Sequence, residues 1–206
     1  MKSMKWSIIV CLLSVVFGCV STKPRTGGFN AVDSTVPVYS HQPSGFLFPQ
    51  AVARFMRDKE IKFYDKDGKD ISVPYNLVTP EEKVAGTIYI FPSLKDFSVF
   101  PVPQLGKTPD WFLQRHYDGA KAVIIQKYGA RTLSDSEYRI NRSILNPTGR
   151  KGVFEWDTIG GEILRSQLYV FSHHGWFVKY RFTYPSRHSS KAELEIDRFI
   201  GAFQWP

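Results

Sequence analysis

The chain has 206 residues, 43% apolar and 22% charged, with a formal net charge of +8. That balance is globular; it excludes a disordered or collagen-like chain, and the length argues for one domain. Sixteen Phe, ten Tyr and five Trp are available to fill a core, while two cysteines leave little room for thiol chemistry.

Residues 1–5 carry two lysines and no acid, residues 6–17 are an apolar run, and Gly18 and Cys19 follow. A basic start, a short apolar middle and a small residue before the processing point make a secretory signal. The run falls short of the about 20 residues a spanning helix needs. A buried core helix fits poorly, because Ser, Thr, Lys, Pro and Gly come directly after it. The segment resembles a bacterial lipoprotein signal, whose lipobox ends in a small residue and an obligatory Cys. Gly18 and Cys19 match it; Val16 stands where Leu is usual, and Phe17 is bulkier than the preferred residue. The resemblance implies cleavage before Cys19, thioether diacylglycerol on its sulfur and acylation of its new amino group. Two or three chains give stable anchoring where one gives marginal binding. Val20 and Ser21, in place of an Asp after the Cys, imply the outer membrane in a double-membraned source. In an ordinary signal peptide, by contrast, Cys19 is one more apolar residue. Cys11 and Cys19 are the only cysteines. The exported part therefore has no disulfide, no CxxC redox pair and no Cys-based zinc site.

Residues 20–45 are rich in Ser, Thr, Pro and Gly without a period, which predicts a flexible tether spanning about 25–30 Å. Loss of residues 1–18, with Lys2 and Lys5, takes the net charge from +8 to +6. A basic surface near anionic lipid gains about 1 kcal/mol per cation held close to it. Export argues against nucleic acid as a partner. The expected organisation is a signal peptide over 1–18, a lipidated tether over 19–45 and a single α+β domain over 46–206.

Within that domain, 46–49 is a short extended start. Residues 61–64 and 71–73 flank Asp65-Lys66-Asp67-Gly68-Lys69-Asp70, a hairpin signal. Residues 87–91 are a strand stopped by Pro92, and 97–107, with two prolines, is a loop. Thr108, Pro109 and Asp110 open a helix that carries Leu113, Tyr117, Ala120, Ile124 and Tyr128 on one face and closes at Gly129. Residues 138–145 alternate as a strand, Asn146 to Gly149 turn, and 153–157 and 163–171 are strands on either side of Gly160-Gly161. Ser172-His173-His174-Gly175 turns into 176–184. There Trp176, Val178, Tyr180, Phe182 and Tyr184 share one face, and Lys179, Arg181 and Thr183 share the other. Ser190 and Glu193 have capping-box spacing ahead of Ala192, Ile196, Phe199, Ile200 and Phe203, a second amphipathic helix. The sum is an antiparallel sheet flanked by helices, an α+β domain.

Three stretches, 63–72 (FYDKDGKDIS), 86–92 (GTIYIFP) and 176–185 (WFVKYRFTYP), together with the order of helix, meander and closing helix, resemble the PsbP-like superfamily over residues 46–206. That superfamily includes photosystem II extrinsic subunits, DcrB-type envelope lipoproteins and a nuclear import factor. The resemblance implies an α/β/α sandwich and members that mostly bind partners. It assigns no functional residue.

Candidate chemistry is sparse. Asp65, Asp67 and Asp70 surround Gly68, but an EF-hand needs Gly at the sixth position and Glu at the twelfth, where Asn76 stands. His173 and His174 are adjacent, so on a strand they point to opposite faces. His41 falls in the tether; His116 and His188 sit in no HExxH or HxxE pattern. No GxSxG, GxxxxGKS or GxGxxG is present, and nothing in the sequence joins Asp118 to Glu137. Lys179 and Arg181, with Arg165 and Gln167 on the neighbouring strand, are a candidate basic patch for phosphate groups or an acidic partner. The functional expectation is a non-catalytic, lipid-anchored envelope protein that presents its domain to a protein partner, without a cofactor or metal. A carrier or sensor of an amphipathic ligand is the alternative, and an envelope hydrolase stands behind both.

Overall fold

The computed structural model describes residues 38–79, 83–93, 109–140 and 147–206. Gly18, Cys19, the tether up to residue 37, the 97–107 loop, Thr108 and the 141–146 segment lie outside the described residues.

Strands β1 (Tyr39–His41) and β2 (Phe46–Phe48) form a two-stranded ribbon. Next come β3 (Ala51–Val52), β4 (Phe55–Arg57), β5 (Lys62–Phe63), β6 (Ile71–Val78) and β7 (Lys83–Pro92). Helix α1 (Pro109–Tyr128) leads into β8 (Arg131–Arg139), β9 (Thr148–Asp157), β10 (Ile163–His173) and β11 (Trp176–Pro185), and α2 (Ser189–Ala202) closes the chain. Among the described residues, β3 to β11 build a nine-stranded antiparallel sheet in the order β3-β4-β6-β7-β11-β10-β9-β8. Strand β5 pairs with β6 beside β4. The two helices pack on opposite faces, so the α+β expectation of a sheet between helices holds.

Strand β11 lies inside the sheet between β7 and β10. Its period of two sends Val178, Tyr180, Phe182 and Tyr184 to one core and Phe177 to the other. On the first face, α2 lays down Ala192, Ile196, Phe199 and Ile200, all fully buried. The Phe199 ring sits 4.9 Å from Phe55, 5.1 Å from Tyr75 and 5.5 Å from Phe182, centroid to centroid. Such tilted and edge-on pairs add about 0.5–1.5 kcal/mol each beyond the area they bury. On the second face, Leu113, Tyr117 and Ile124 of α1 meet Phe154, Leu168, Val170 and Phe177. Asp110 lies in the first turn of α1 and Lys127 in its last, as the helix dipole favours. Gly129 ends the helix at φ +63°.

Several expectations change, among them the turn over 146–149, whose Thr148 and Gly149 are already paired in β9. The tether does not extend to residue 45, because β1 is already paired and His41 is 1% exposed. The predicted 138–145 strand begins earlier, at Arg131. Nearly every β8 residue is exposed, because the strand pairs on one side with β9 and ends the sheet, so it carries no burial pattern to read. Strands β3 and β4 were not anticipated: their turn places Ala53 at φ +50°, a conformation the sequence does not advertise. Finally, Ser190 does not cap α2. A 3-10 turn over Ser186–His188 enters the helix, the cap position is His188, and no side chain bonds the free N–H groups.

Gly152 on β9 allows α1 to lie close to the sheet. A Cβ there would collide with the Tyr117 hydroxyl and the Phe154 ring. Overpacking of this kind costs about 1–3 kcal/mol. Gly152→Ala is expected to lower the urea midpoint correspondingly, with the slope of the transition unchanged; equilibrium unfolding of the two proteins checks this.

Candidate functional site

The predicted basic patch is split by the sheet. Arg165 lies opposite Tyr184 and Glu155, on the α2 face, whereas Lys179 lies opposite Val170 and Arg181 opposite Leu168, on the α1 face. Arg165 is removed from the patch because its partner on β11 is one residue out of phase with Lys179 and Arg181. Its role is structural. It donates to Glu155 at 3.0 and 3.3 Å and to Glu193 at 3.2 Å. Glu155 is buried and also accepts from Arg131 and from the Ser186 hydroxyl at 2.8 Å. Arg131 first, then Ser186 and Arg165, hold its carboxyl at about 2. Glu193 accepts from Tyr184, which in turn takes a bond from Gln167. The network ties α2 to β9 and β10 and leaves no cation there for a ligand.

Lys179 and Arg181 remain together on the other face. Lys179 Nζ lies 4.0 Å from the Tyr89 ring centroid, and the Arg181 guanidinium 5.0 Å from that of Tyr128. Tyr128 in turn stacks on Trp156 at 4.7 Å. Burial first, and then the Arg181 charge, push the Lys179 ammonium below its ordinary value, against the pull of Asp70. Burial alone would raise the Tyr128 hydroxyl, but Arg181 and Lys127 bring it down. The two cations line a cleft against Tyr89, Leu168, Ala120, Val123 and Ile124. It adjoins a larger cavity of about 330 Å³ that shares Lys179, Ala120 and Val123 and adds Phe91, Arg115 and His116. His116 packs 4.1 Å from the Phe177 ring. The period of β11 and the stripe on α1 were each legible in the sequence. What was not legible is that they face one another, and so Tyr89, Phe91 and Tyr128 were not joined to Lys179 and Arg181.

A second surface feature lies where two hairpins meet. His41 Nε2–H donates to the Gly68 carbonyl at 2.8 Å, and Nδ1 faces the Ser44 hydroxyl at 2.5 Å. Because a carbonyl only accepts, the Nε2–H tautomer is the one present. This bond holds the β1–β2 ribbon against the tip between β5 and β6. Val38, Leu47, Phe63 and Tyr64 are exposed on these two hairpins, the last two by 55% and 56%.

The remaining candidates take structural positions. Asp65 Oδ1 accepts the N–H groups of Lys69 and Asp70 and closes the hairpin tip, with Gly68 at φ +64°. His174 and Gly175, both at positive φ, form the turn between β10 and β11. His173 Nε2 lies 2.9 Å from the Pro206 carbonyl. Asp118 on α1 accepts from Gln114, Glu137 pairs with Arg139 on β8, and Arg187 donates to His188. Among the described residues, no three His, Cys, Asp or Glu side chains gather to hold a metal, and no helix is long and apolar enough to cross a membrane.

No family model matches the chain, and no curated protein does. Among solved structures, a Pseudomonas aeruginosa protein of unknown function is 12% identical, with a TM-score of 0.40 over 79% of this chain and 94% of that one. The Saccharomyces cerevisiae Ran-binding protein Mog1p is 10% identical, with a TM-score of 0.28 over 72% of this chain and 90% of that one. At such scores neither likeness bears on function.

Burial lowers the His41 pKa below 6.5, against the pull of the Gly68 carbonyl and of Asp65. The native state therefore binds fewer protons than the unfolded chain. The stabilisation is full above pH 6.5 and is lost as pH falls below that value. Between pH 8 and 5 the melting temperature should fall more steeply in the wild type than in His41→Gln; parallel thermal scans check this.

Proposed function

We propose that the chain is a lipid-anchored envelope protein that presents its α+β body to a protein partner and performs no chemistry of its own. The anchor is diacylglycerol on Cys19, after cleavage behind Gly18, in the outer membrane of a double-membraned cell. Supporting the anchor are the lipobox-like residues and a body without cysteine. The observation that carries the partner reading is the exposed Phe63–Tyr64 pair, with Val38 and Leu47 on the hairpin that His41 ties to it. Aromatic side chains are enriched at the centres of interfaces, and a few of them supply most of the binding energy.

Two measurements test the two halves. Cells fed an alkyne fatty acid should label the wild type, and Cys19→Ser should be unlabelled and retain its leader; an unlabelled wild type refutes the anchor. Crosslinking of the full chain in its native membrane should yield a near-stoichiometric partner. Replacing Phe63 and Tyr64 by Ser should cut its recovery at least tenfold with the melting temperature kept. A wild type that yields no such partner refutes the docking reading.

A further inference from the structure

The α1 face treats its cations in two ways. On β9, Arg150 shares Asp135 with Lys121 of α1, at 2.7 Å from each. Two strands away, Lys179 and Arg181 have no carboxylate within ion-pair distance among the described residues; both rest on aromatic rings. They are two residues apart on one strand and on one face, so their charges repel at short range inside a partly dry cleft. Arg181 Nε, like Arg150 Nε on the same face, is also buried without a hydrogen-bond partner. A buried donor left unpaired is costly, and native structures rarely tolerate one without a ligand, ion or water to meet it.

The opposite wall is built differently. Ala120, Val123 and Ile124 present an apolar surface. Gly119, in the middle of α1, lines the adjoining cavity, and a Cβ there would meet nothing within 4 Å. Glycine inside a helix costs about 1 kcal/mol relative to alanine. Here no close packing requires it, and its effect is to leave the cavity open. The cleft between the two cations holds about 100 Å³, and the adjoining cavity about 330 Å³; the cavity alone lies at the low end of small-ligand sites, which run from about 300 to 1,000 Å³.

We propose that this cleft binds a small organic oxyanion, a carboxylate or phosphate carrying a short apolar group. Its charged head lies between Lys179 and Arg181, and its apolar group runs over Ala120 and Val123 into the adjoining cavity beside Gly119. The head supplies the acceptor that Arg181 Nε lacks and the negative charge that the Lys179–Arg181 pair lacks. The site is independent of the hairpin patch, so loss of a protein partner would leave it intact.

The test uses the full chain, with hexanoate and monobutyl phosphate as soluble probes and phosphatidylglycerol vesicles as a membrane arm. Acylation of each lysine by an amine-reactive reagent is followed by mass spectrometry. At least one soluble probe should slow modification of Lys179 fivefold or more relative to exposed Lys59, where sodium chloride of equal ionic strength does not. Lys179→Gln and Arg181→Gln should weaken probe binding at least tenfold, with Arg139→Gln unchanged. Gly119→Leu, which keeps every charge and fills open space, should weaken binding as much without lowering the melting temperature. Failure of both soluble probes to protect Lys179 in the wild type overturns the proposal, whatever the variants do. Protection by vesicles alone also overturns it, in favour of a membrane-contact surface. Tight binding retained in Gly119→Leu and Arg181→Gln places the anion elsewhere and refutes this site.

Discussion

The alternation of side chains along β11 governs the rest of the molecule. This strand is internal, so both of its faces are covered to some extent. Its hydrogen-bonded register also dictates which residues of β7 and β10 share each face. Val178, Tyr180, Phe182 and Tyr184 point one way and build the core under α2. Phe177, Lys179 and Arg181 point the other way, beneath α1. A slip of one residue would carry both cations into the aromatic core under α2 and the tyrosines under α1. Burying an unpaired charge is far more expensive than burying a ring, so the register has a single solution.

The two faces consequently differ in character. Around Phe199 the α2 side is packed with large aromatic rings, and its polar groups close on one another through Arg165, Glu155, Glu193, Tyr184 and Gln167. Outside that network, Tyr180 Oη, Glu195 Oε2 and Trp205 Nε1 on the same side are buried without a hydrogen-bond partner. The α1 side uses smaller residues, Gly119 and Ala120, against two cations held by aromatic groups, Arg181 by the Tyr128 hydroxyl as well as by its ring. A ring quadrupole offers an ammonium or guanidinium about 0.5–2 kcal/mol, enough to tolerate a half-buried cation and less than an anion would provide.

Local pattern alone determined several elements of this protein. The stripe on α1, the stripe on α2 and the two-faced strand at 176–185 all depend on residue spacing within one segment, and spacing is carried by sequence. The nearly all-exposed strand β8, the turn at Ala53 and the β1 pairing were invisible, because each depends on a neighbour far along the chain or on a backbone angle that the residue type does not betray. Arg165 shows the same division most plainly. Its strand was predicted, but its face follows from pairing Arg165 with Tyr184, a register that two strands settle jointly by the apolar surface they bury. Only the assembled sheet could separate Arg165 from Lys179 and Arg181, satisfy the first with carboxylates, and leave the other two lining a cleft under α1.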